Sequence, residues 1–126
     1  MATRNRTRPT IKVKPSALAE ITEDQLGAAL ANLRREMRNA GGEDLTAMQT
    51  RRDELSGQLD QFVLLHLMKI DRDPEVKAAV DQLNQLCVDI QIAVREMKDV
   101  TEALNKAAKV IRFADKFLGI VLKIVK

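Results

Sequence analysis

The sequence predicts an all-α protein: an antiparallel helical hairpin or bundle of three to four helices, with a long C-terminal helix and a basic, extended N-terminal arm. Three observations carry that expectation. Apolar residues make up 45% of the 126, aromatics only 2%, and there is no Trp or Tyr, so any core is aliphatic and rich in helix formers. From Leu26 onward, apolar positions recur at steps of three and four, the spacing of one helix face. The strong breakers, Gly41-Gly42 and Pro74, fall between those periodic stretches.

The arm comes first. Residues 1–20 contain Pro9 and Pro15 and show no helical period, so they read as a flexible, solvated tail. In an extended chain Arg4, Arg6 and Arg8 would share one face, and with Lys12 and Lys14 they form a candidate phosphate-contacting arm. Residues 21–126 read as a single helical domain, with helices over about 22–40, 44–70, 74–104 and 105–126.

The first of these has the signature of a capping box. Thr22 stands at the N-cap position, Gln25 three residues on, and Ile21 and Leu26 take the flanking staple positions. Gly41-Gly42 closes it. In the second, Leu45, Met48, Leu55, Leu59, Phe62 and Val63 mark the inner face, and "FVLLHLMKI" is apolar nearly all round, the pattern of a segment buried on several sides. "RDPEV" then supplies Asp73 as N-cap and Pro74 at the first helical position.

Beyond Pro74 a 3-4 alternation runs without a break from Val76 through Val80, Leu83, Cys87, Ile90, Val94, Met97, Thr101, Leu104, Ala108, Ile111, Asp115, Leu118 and Leu122 to Val125. A continuous helix to Lys126 would be about 80 Å long at 1.5 Å per residue, longer than the preceding helices can cover. The chain therefore either bends near Thr101–Asn105, where "DVTE" offers an internal capping box, or projects from a shorter bundle.

The last segment is the most distinctive. Placed on a helical wheel, Lys109, Arg112, Asp115, Lys116, Gly119, Lys123 and Lys126 fall in one arc of about 120°. The remaining face is apolar over about 200°, centred on Val121, wider than the stripe of an ordinary surface helix. Phe113, Phe117, Leu118, Ile120, Val121 and Ile124 are its candidate docking residues, and Lys109, Arg112, Lys116, Lys123 and Lys126 its cationic wedge. Three readings stand: a core helix, a membrane-surface helix, or an oligomer interface.

Chemistry is sparse. His66 is the only histidine and reads as a core or interface residue. Cys87, the only cysteine, lies on the apolar seam and reads as a small hydrophobe. The acids cluster at helix starts, where they complement the helix dipole. No metal-ligand spacing and no glycine-rich phosphate loop is seen, so the expectation is a non-enzyme with no metal and no cofactor.

Charge gives the last clue. Residues 1–20 carry five basic groups and one acid, residues 21–105 ten and sixteen, and residues 106–126 six and one. An acidic middle with two cationic ends suits anionic partners or the middle of another copy. The functional expectation is a self-associating, homo-oligomeric interaction protein whose C-terminal helix docks a protein partner or an anionic membrane surface. The alternative is a small nucleic-acid-binding protein working through the arginine arm. Without a secretory h-region or an apolar run long enough to span a bilayer, the expected location is cytoplasmic, with association to a membrane surface allowed.

Overall fold

The computed structural model describes residues 13–122. Within them every regular element is a helix: α1 (Pro15–Met37), α2 (Gly42–Val63), α3 (Leu67–Arg72), α4 (Pro74–Ala78), α5 (Val80–Arg95) and α6 (Val100–Val121). The expected three to four helices are thus six, because the second and third each break. The arm up to Lys12 and the residues from Lys123 lie outside the described residues.

α1 starts seven residues before the capping box, which corrects the expected boundary at Thr22. Pro15 occupies the first helical position, where its missing N–H costs nothing. The cap itself comes from far along the chain. The Ser16 amide donates to Asp71 Oδ1 at 2.9 Å, and the Ser16 hydroxyl to Oδ2 at 2.6 Å. A carboxylate from α3 thereby meets the positive end of α1. Thr22 is mid-helix, fully buried, and its hydroxyl donates to the Leu18 carbonyl at 2.8 Å. At the far end α1 stops at Met37, and Gly42 turns the chain with φ +57°, a conformation that strains any L side chain.

α2 ends at Val63, short of the expected Ile70. Met48, Leu55, Gln58 and Phe62 face inward, while Leu45 and Leu59 are half-buried. Leu64, Leu65 and His66 interrupt the helix, so "FVLLHLMKI" is not buried all round. Only Phe62, Leu65 and Ile70 are buried there; Val63, Leu64, His66 and Met68 are exposed, so His66 is not a core residue.

Asp73 caps α4 as expected, accepting from the amides of Glu75 and Val76 at 2.8 and 3.2 Å. The long helix is broken at residues 96–99, in favour of a bend. Asp99 caps α6 by accepting from the Glu102 amide at 2.8 Å. α1 reaches two carbonyls at and just beyond the end of α5: Asn32 Nδ2 donates to Val94 O at 3.2 Å and Arg35 Nη2 to Met97 O at 3.2 Å. Lys106 reaches across the bend to Glu96 at 3.0 Å.

The bend also resets the seam. Leu83, Cys87, Ile90, Val94 and Met97 follow the expected positions and are buried, but the next buried residue is Ala103. From there Ala103, Ala107, Val110, Ala114, Phe117 and Val121 recur at steps of four and three, all fully buried. The expected seam residues Thr101 and Asp115 are exposed, and Leu104 and Ala108 half-buried.

Helix directions follow from the contacts. Asn32 and Arg35 reach Val94 and Met97, so α1 and α5 run the same way. Gln58 Nε2 donates to Ile111 O and Asp115 Oδ1, both at 2.8 Å, and the Phe62 and Phe117 rings lie 5.5 Å apart, so α2 and α6 run together the other way. α1 and α6 pack on each other and each packs on both α2 and α5. The α3–α4 segment crosses one end of the four longer helices, with α3 against α1 and Ile70 and Val76 buried beneath it. That end is the base of the fold.

Candidate docking surface

The wheel of the last helix matches its burial position by position. Lys109, Arg112, Asp115, Lys116 and Gly119 are exposed, and every other described residue from Val110 on is buried or half-buried. Of the candidate docking residues, Phe117 and Val121 are fully buried and Leu118 nearly so, all within the chain's own core. Phe113 and Ile120 are half-buried at its edge. Phe113 joins Asp89, Ile92, Ala93, Glu96 and Lys109 around an open groove between α5 and α6. Ile124, Lys123 and Lys126 lie outside the described residues, as do Arg4, Arg6, Arg8 and Lys12; Lys14 is exposed at the N-cap of α1.

Cys87 is buried, and burial pushes its thiol above the ordinary value of 9.0, with a hydrogen bond to Thr22 opposing part of that rise. A thiol held protonated inside an aliphatic core is a packing group. Among the described residues no three His, Cys, Asp or Glu side chains are grouped to hold a metal ion, and no helix is long and apolar enough to cross a membrane.

The base carries the concentration of exposed apolar side chains that the sequence reading missed. Val63 is 62% exposed, Leu64 76% and Met68 68%. They occupy the outer side of the break between α2 and α3, whose inner side is Phe62, Leu65 and Ile70. Residues 63–68 were legible as apolar; the break that turns three of them outward has no glycine or proline to announce it.

Charge surrounds this corner. Lys69, Arg72 and Lys77 are exposed on α3 and α4 and form no ion pair with a described residue; the same holds for Lys14 at the start of α1. Of the nearby acids, Asp71 is bound to Ser16 and Asp73 to the first turn of α4, leaving Asp60 and Glu75 toward solvent. α1 begins at the base and α6 ends there, so the described chain enters and leaves the fold at the same end. The two cationic ends of the sequence are therefore joined to one pole of the fold.

No protein-family model, no curated protein and no solved structure matches this chain.

Proposed function

We propose that the protein is a non-catalytic interaction protein, a helical bundle with a basic N-terminal arm, that docks through its base. The observation that supports this reading is the exposure of Val63, Leu64 and Met68 at the end of the fold to which both cationic chain ends are joined. Large exposed apolar side chains grouped within six residues mark an interaction surface, and Lys14, Lys69 and Arg72 are exposed on the helices that meet at the same end. The docking face thus shifts from α6, whose Phe117, Leu118 and Val121 fill the core, to the α2–α3 corner. The nucleic-acid alternative depends chiefly on Arg4, Arg6, Arg8 and Lys12, outside the described residues.

Site-specific photo-cross-linking in living cells tests the location without presupposing the partner. A benzophenone side chain at position 64 or 68 should give an adduct, whose mass separates a second copy from another protein or a lipid. The same group at Arg112 or Lys116 should give none. Adducts from α6 alone would refute the reading.

A further inference from the structure

The base offers more than an unspecified sticky corner, and what borders it selects the occupant. Three aliphatic side chains form too small a patch for a standard protein–protein interface, which covers about 800 Å² on each partner. Nucleic acid would be met by several stacking rings along a basic groove, and the one ring exposed at this corner is His66, set among the aliphatic Val63, Leu64 and Met68. A lipid surface needs just this pairing: a few side chains long enough to enter the acyl boundary, set among cations at headgroup height.

The cations are in place on the fold itself. Lys14, Lys69 and Arg72 belong to the elements that meet at the base and none forms an ion pair with a described carboxylate, while Asp71 and Asp73 are engaged in helix caps and Asp60 and Glu75 face solvent beside them. The sequence beyond the described residues adds to the same sign. Residues 1–12 hold Arg4, Arg6, Arg8 and Lys12, residues 123–126 hold Lys123 and Lys126, and neither segment contains an acid. Glu43 and Asp44 stand at the start of α2, the end away from the base.

We infer that the base binds an anionic membrane surface, with Leu64 and Met68 entering the acyl boundary and Lys14, Lys69 and Arg72 lying against lipid phosphates. The inference rests on the proposed docking through the base and adds the partner. It needs neither a spanning helix nor an opened core, because the inserting groups already point outward.

The test uses the full-length protein and sedimentation with vesicles of phosphatidylcholine alone or mixed with phosphatidylglycerol, at several salt concentrations. Binding is expected on the mixed vesicles only, weakening as salt rises. Leu64→Ser with Met68→Ser should weaken it about tenfold or more, since both apolar contacts are lost. Lys69→Ala with Arg72→Ala should weaken it severalfold and flatten the salt dependence. Lys109→Ala, on the exposed wedge of α6, should change it little. Equal binding to uncharged vesicles, no binding to either, or full binding by both double variants would overturn the inference; so would retention on duplex DNA in preference to the mixed vesicles. If vesicles fail while position 64 still cross-links to a protein, docking through the base survives and the lipid assignment falls. If position 64 yields no adduct, the docking site itself is wrong.

Discussion

The C-terminal helix and the corner between α2 and α3 are both strongly apolar in sequence, yet they meet opposite fates. α6 presents an apolar face of about 200°, too wide for one neighbour, and the fold supplies three: α1, α2 and α5 all pack on it. The corner has fewer large apolar residues, and three of its seven are left in water. Hydrophobicity counts what a segment could bury; topology decides what covers it. α6 lies in the middle of the packed helices, whereas the corner lies at their end, where α3 covers only the inward side.

That contrast fixes the order of mutational effects. Phe117→Ala should be the most damaging, costing about 3–5 kcal/mol by emptying a fully buried site against Phe62. A loss near 0.5 kcal/mol in denaturant unfolding would mean that α6 is not held as described. Next comes Asp71→Ala, which removes both bonds to Ser16 and should cost about 2 kcal/mol. Amide exchange should then rise first in the opening turn of α1; unchanged exchange there would show that Pro15 alone holds the helix start.

A smaller effect is expected at alkaline pH. The Cys87 thiol has its pKa raised by burial, so its contribution is fully present below about 9.0, the ordinary value for the unfolded thiol, and is lost as pH rises through the higher folded value. Cys87→Ala should flatten the fall in melting temperature over that range, and an unchanged slope would place the loss elsewhere. Smallest of all, Leu64→Ser with Met68→Ser should shift stability by no more than about 0.5 kcal/mol, because both side chains are already in water. A loss of several kcal/mol would show that the corner is part of the core.

The sequence made the helices themselves legible, and the wheel of α6 correctly separated exposed from covered residues. Pro74 and Asp73 announced α4, and "DVTE" announced the cap at Asp99, because those signals act within a few residues. The start of α1 was not legible for the opposite reason: its cap, Asp71, lies 55 positions away from Ser16. The break at 64–66 uses residues that favour no particular interruption. The phase of α6 was hidden by Ala103, Ala107 and Ala114, small enough to be passed over beside Thr101, Leu104 and Ala108, although the alanines are what the core encloses. Gln58, buried and bonded to Ile111 and Asp115, was also invisible to a reading that ranked positions by apolarity.

The most direct test of the central contrast is thiol accessibility on either side of it, in a Cys87→Ala background. Leu64→Cys and Val121→Cys variants would be labelled with a maleimide, with and without vesicles containing phosphatidylglycerol. Position 64 should react at the rate of an unfolded peptide and become protected when vesicles are added, while position 121 should stay unreactive throughout. Rapid labelling at position 121 in the folded protein, or a rate at position 64 that vesicles leave unchanged, would contradict a covered C-terminal helix and a base that meets the membrane.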